Sequence, residues 1–145
     1  MITLPVRGTH TLTTGFMPDP WGFPLTAGGG RNPVELSTLG IPGCPQGFVT
    51  QAPDFRFNFA AGSTFSLLRF YVVSNADALL LINEPNGSYR CNDDHGHSDW
   101  GNSLMPAIDY HNPPAGRYDI WVGTFNRSNN NPAILNITEL ESNHP

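Results

Sequence analysis

Asp54-Phe55-Arg56-Phe57-Asn58-Phe59-Ala60 is the stretch that decides the fold. Phe55, Phe57 and Phe59 alternate with Arg56, Asn58 and Ala60, the period-2 pattern of a half-buried β-strand. Ala61-Gly62-Ser63 turns the chain, and residues 65–73 follow as a second strand. That run is apolar on both faces except at Arg69, which predicts a central position in a sheet. Ser74-Asn75-Ala76-Asp77 turns it again ahead of a third buried run at 78–82. Glu84-Pro85-Asn86-Gly87 is a hairpin signal, with glycine where a positive φ is needed.

The pattern continues toward the C-terminus. Residues 88–91 lead into an acidic loop, and 104–110 read as a weaker strand ending at Asn112-Pro113-Pro114-Ala115-Gly116. In 117–123, Tyr118, Ile120 and Val122 share one face while Asp119 and Trp121 take the other. Residues 126–132 form a polar loop, and 134–140 a closing strand. About seven or eight short antiparallel strands at turn spacings of roughly 8–12 residues predict an all-β sandwich or barrel. Toward the N-terminus the composition changes. Residues 1–53 are rich in Gly, Pro and Thr, carry a Gly28-Gly29-Gly30 run, and show no helical period. Residues 9–16 read as one extended strand within a long arm. The expected organisation is therefore an arm over 1–53, packed on the body or on a neighbouring subunit, and a sandwich over 54–145.

The 145 residues suffice for one domain, and the charge narrows its partners. Net charge is −5 and every one of the seven basic residues is arginine, so the basic stripe of a nucleic-acid binder is missing. No run approaches the ~18 apolar residues that a membrane span needs. Met1-Ile2-Thr3-Leu4-Pro5 lacks the charged start and apolar core of a secretion signal. The chain is expected to be cytosolic, or secreted with its leader already removed.

Cys91-Asn92-Asp93-Asp94-His95-Gly96-His97-Ser98-Asp99-Trp100-Gly101-Asn102 concentrates carboxylates in a protein that is only 13% charged. Carboxylates this close repel unless a cation sits among them, and calcium takes six to eight oxygen ligands. Asn92, Asp93, Asp94, Asp99 and Asn102 are the candidate calcium ligands, with Asp19 or Asp77 as possible additions. Two other readings stay open: a solvated polar loop, and a transition-metal site using His95 and His97. Cys44 and Cys91 either form a disulfide closing a loop of about 48 residues, or are two unrelated buried thiols. The disulfide reading carries an extracellular address. Asn86-Gly87-Ser88, Asn126-Arg127-Ser128 and Asn136-Ile137-Thr138 fit the glycosylation sequon.

The C-terminal two-thirds resembles the bacterial pre-peptidase C-terminal domain family. The matching residues are Ala76-Asp77-Ala78-Leu79-Leu80-Leu81 leading to Pro85-Asn86-Gly87, then Cys91-Asn92-Asp93-Asp94, then Pro114-Ala115-Gly116-Arg117-Tyr118-Asp119-Ile120-Trp121-Val122-Gly123. The N-terminal part resembles uncharacterised secreted relatives through Gly15-Phe16-Met17-Pro18-Asp19-Pro20 and through Cys44 ahead of Ala52-Pro53-Asp54-Phe55. The resemblance implies a calcium-stabilised, non-catalytic jelly-roll sandwich and supports a Cys44–Cys91 bridge. Members are typically appended to an enzyme, which this chain is not, so the resemblance does not extend to a protease-accessory role.

No Gly-x-Ser-x-Gly elbow or His-Glu-x-x-His helix is present, and no enzymatic activity is expected. Two roles follow. Trp100, Trp121 and Tyr110 are a candidate aromatic platform for glycan or protein, against the alternative that Trp121 packs under the N-terminal arm. In the second role, the strand at 9–16 is donated to a neighbouring copy across an open sheet edge. Head-to-tail donation that does not close builds a filament. The expected function is this self-associating extracellular structural subunit.

Overall fold

The computed structural model describes residues 5, 8–60, 65–127 and 129–145. The expected turn at Ala61-Gly62-Ser63 lies outside these, as does Ser128 of one sequon. The described residues form eleven strands: β1 (Thr9–Thr13), β2 (Trp21–Ala27), β3 (Val34–Glu35), β4 (Phe48–Val49), β5 (Phe55–Ala60), β6 (Leu67–Ser74), β7 (Leu79–Asn83), β8 (Tyr89–Asn92), β9 (Ala107–His111), β10 (Gly116–Gly123) and β11 (Asn131–Thr138). A 3-10 turn at Leu36–Thr38 is the sole helical element among them. The all-β reading holds.

Two sheets make the sandwich, one ordered β1-β5-β10-β7-β8 and the other β2-β11-β6-β9. Each strand's alternation feeds one shared core. Phe57, Phe59, Tyr118, Ile120, Val122, Leu80 and Ile82 of the first sheet meet Leu68, Phe70, Val72, Ile108, Leu135 and Ile137 of the second. Phe57 stands edge-on to Phe70 with ring centroids 5.7 Å apart, an arrangement that favours aromatic pairs. Tyr118 closes one end, its hydroxyl donating to the Pro114 carbonyl at 2.7 Å.

The N-terminal residues are woven into both sheets. β1 lies parallel to β5, from Thr9 opposite Arg56 to Thr13 opposite Ala60, and contributes Leu12 to the core, where Phe16 joins it. This pair departs from the expected antiparallel pattern, and the strand ends at Thr13 rather than Phe16. β2 pairs antiparallel with β11 at the edge of the other sheet. Its Pro24 is tolerated because at an edge a missing N–H breaks no ladder that faces solvent. The total accessible surface, 7249 Å², is close to the roughly 7300 Å² expected of a compact monomer of this mass.

β3, the 3-10 turn and β4 form a strap over the outer face of the first sheet. The two-residue strands pair with each other, and β4 is tied to the end of β10 by reciprocal bonds between Phe48 and Thr124 at 2.8 and 3.1 Å. A second, smaller core forms there, with Leu36, Val49 and Cys44 set against Leu79, Leu81, Cys91 and Trp121. Cys44 and Cys91 are joined in a disulfide, Cα atoms 5.6 Å apart. Gly43 adopts φ +94°, and a Cβ there would collide with the Cys91 carbonyl, so only glycine lets the strap approach.

The strap carries two strands of only two residues each, so the crosslink is expected to contribute much of what holds it in place. The double variant Cys44→Ala/Cys91→Ala is expected to lose about 3–4 kcal/mol, by the entropy of a loop with sequence separation 47. Urea denaturation followed by tryptophan emission measures it, and an unchanged midpoint would refute the dependence.

Candidate functional site

β7 and β8 form a hairpin in which Leu80 faces Asn92 and Leu81 faces Cys91. Continuing that register brings the residues just before β7 beside those just after β8. Asp77 from the β6–β7 turn thus meets Asp93 and Asp94, and one carboxylate oxygen from each lies within 4.8 Å of the others. Asp77 Oδ1 and Asp93 Oδ1 are buried with no hydrogen-bond partner. Burial, then the charges of Asp77 and Asp94, pushes the Asp93 carboxyl up to about 6. Asp77 is also raised, first by burial and next by Asp94, against a lowering bond from the Ala78 backbone. Buried carboxylate oxygens that face one another without donors are costly unless protonated or shared by a cation. Hard oxygen donors of this kind suit calcium rather than a thiol- or imidazole-seeking metal.

The structure sorts the other candidate ligands differently. Asn92 Oδ1 accepts from the Ala107 N–H at 3.1 Å, binding the end of β8 to β9. Asn102, at φ 42°, accepts from the Leu104 N–H and shapes a turn. Asp99 is exposed and outside the carboxylate group. Asp19 serves the opposite segment, where Thr138 Oγ1 and the Glu139 N–H donate to it. Of the candidate set, Asp93 and Asp94 converge, and Asp77 completes the trio.

His95 is committed to holding the loop. Its Nδ1 accepts from the His97 N–H at 2.9 Å, and its Nε2 lies 3.1 Å from the carbonyls of both Gly101 and Asn102. Both ring nitrogens are used, so His95 offers no free nitrogen to a metal in this arrangement. His97 instead stacks on Trp100 with centroids 3.8 Å apart, and Trp100 stacks on His144 at 4.7 Å. The Arg69 guanidinium lies 4.6 Å from the Trp100 ring. Arg69, 2% exposed, donates twice to Asp109 at 2.7 and 2.9 Å and also to the carbonyls of Glu141 and Asn143. The loop and the C-terminal residues are thereby fastened to one buried cation on β6.

Trp100, Trp121 and Tyr110 do not share a face. Trp100 lies outside the second sheet with Arg69, and Trp121 outside the first sheet beneath the strap. Tyr110 is buried between the sheets, in edge contact with Phe70 and Tyr118. Strand alternation sends Tyr110 into the core and Trp121 to the outer face, while Trp100 stands on the loop between β8 and β9. The sequons also divide. Asn86 and Asn126 are exposed, whereas Asn136 is 8% exposed within β11, between β2 and β6, where a glycan has no room.

No family model and no curated protein matches this sequence. Among solved structures it is similar to PliG of Aeromonas hydrophila, a periplasmic lysozyme inhibitor of g-type lysozyme. Identity is 11%, over 90% of this chain and 96% of that chain, with a TM-score of 0.33. A likeness at that level bears on neither partner nor role.

The carboxylate trio yields a prediction of opposite sign in two buffers. The folded-state value of about 6 for Asp93 lies above its ordinary 3.8, so in chelator its contribution is most favourable below about pH 4 and is lost as pH rises through 6. Asp93→Asn should therefore be more stable than the parent in EDTA at pH 7, by roughly 1 kcal/mol after allowance for partial solvation. That gap should close toward pH 4, and in calcium the order should reverse. Thermal melts under the two conditions decide it. A variant less stable than the parent in EDTA at pH 7 would mean that Asp93 has a partner other than a cation.

Proposed function

We propose that this chain is a non-catalytic, calcium-stabilised β-sandwich of an extracellular or periplasmic space that assembles with copies of itself. The observation carrying the calcium assignment is the pair of partnerless buried oxygens, Asp77 Oδ1 and Asp93 Oδ1, facing Asp94. Calcium bound there would offset the mutual repulsion of the three carboxylates, so its binding energy becomes folding energy. Asp77, Asp93 and Asp94 would hold it, with any remaining ligands supplied by backbone carbonyls or water. The disulfide supports an oxidising compartment.

Self-assembly is supported by β1. Among the described strands it pairs with β5 at a sheet edge, and its Leu12 closes the core. The same pairing made with a neighbour's β5 satisfies the same backbone groups, so β1 is the natural element to exchange. Its outer edge also leaves a row of strand groups open to a further copy.

Light scattering and electron microscopy of the purified chain, in calcium and in EDTA, test this role. Oligomers or fibres are expected in calcium, with loss of assembly in Leu12→Asp, which weakens β1 docking. Particles of 15.8 kDa at every concentration in both buffers would sink the assembly reading while leaving the calcium assignment to the melts described above.

A further inference from the structure

The strap creates a cavity that neither calcium binding nor assembly uses. It has a volume of about 270 Å³ and opens beside β8. Its floor is Leu81 and Trp121, Leu39 and Ile41 of the strap form one wall, and Tyr89 and Gln51 stand among the remaining lining residues. Trp121 and Tyr89 face each other with ring centroids 6.2 Å apart at 42°. Tyr89 is 48% and Leu39 53% exposed, so large apolar side chains border this site without being covered.

We infer that this cavity is a binding site for a small neutral molecule carrying an apolar ring. No charged side chain lines it, which leaves an ionised ligand without a counter-charge. Polar side-chain groups in the lining are few, chiefly the Gln51 amide and the hydroxyls of Thr50 and Tyr89. The Thr50 hydroxyl already donates to the Ala52 carbonyl at 2.6 Å. A sugar ring, whose hydroxyls each need a partner, would be poorly matched; a ring with one polar substituent would be well matched. An apolar cavity of about 150 Å³ accepts benzene, so this one has room for a two-ring compound.

The site is built before any ligand arrives. The disulfide and the Phe48–Thr124 bonds fix the strap, and the Leu36 N–H donates to the Gly47 carbonyl at 2.9 Å across it. A wall fixed in advance leaves little ordering entropy to be lost on binding. Tyr89 and Trp121 supply broad contact area at small rotamer cost.

Nitrogen–proton correlation spectra of the intact chain, titrated with indole and separately with glucose, test the assignment. Indole should bind saturably with a sub-millimolar dissociation constant, and its shifts should centre on Leu39, Gln51, Leu81, Tyr89 and Trp121. Leu39→Asp places a charge in a half-exposed wall and should weaken indole binding at least tenfold while the spectrum stays dispersed. Tyr89→Ser, made on the other side of the cavity, should weaken it severalfold. Absence of saturable shifts up to the solubility of indole would overturn the inference. So would glucose binding as tightly as indole, or affinities that neither substitution changes.

Discussion

The covalent bond between Cys44 and Cys91 is the constraint on which the outer half of this molecule rests. Two strands of two residues each cannot form a stable sheet, since even a full hairpin is marginal alone. Joined to β8, they become a lid over Leu79, Leu81 and Trp121, which would otherwise be exposed on the outside of the sandwich. The same bond anchors β8 one residue before Asn92 and two before Asp93. One crosslink therefore fixes the wall of the apolar cavity and the position from which the carboxylate loop departs.

A second organising element is electrostatic. Arg69 occupies an outward-facing position on a central strand, where a guanidinium would normally reach solvent. Here it is enclosed, and its donors are consumed by Asp109 and by the carbonyls of Glu141 and Asn143. A buried cation requires complete satisfaction, because each missing partner costs more than the bond contributes in water. The requirement recruits segments far apart in sequence: β9, the last residues, and, through Trp100, the loop that begins at the carboxylates.

The strands that form the centre of each sheet were legible because their periodicity records burial directly. Phe55, Phe57 and Phe59, and Tyr118, Ile120 and Val122, lie on the core faces that their alternation predicts. β2 was hidden by Pro24, which belongs to an edge, and β3 and β4 are too short to have a period. The carboxylate cluster was half legible. Local spacing marked Asp93 and Asp94, but Asp77 enters through the cross-strand register of β7 and β8, which no local window contains. Asp99 and Asn102 shared the composition of the loop without sharing its geometry. Asn136 satisfied a motif, but on the outer face of β11 it is covered by its surroundings between β2 and β6. Motif spacing speaks for chemistry along the chain, and the fold decides which of those groups face one another.

The parallel pairing of β1 sets an order of events. β1 precedes β5 in the chain, β5 beginning some forty residues after β1 ends, and the sheet that receives it also needs β10. Contacts of such long sequence separation are slow to form, because loop closure comes before any reward. β1 is accordingly a late-docking element, waiting beside an open sheet edge while the antiparallel core condenses. Docking of β1 is therefore expected to limit how soon the first sheet is complete, whatever the speed at which the antiparallel strands pair.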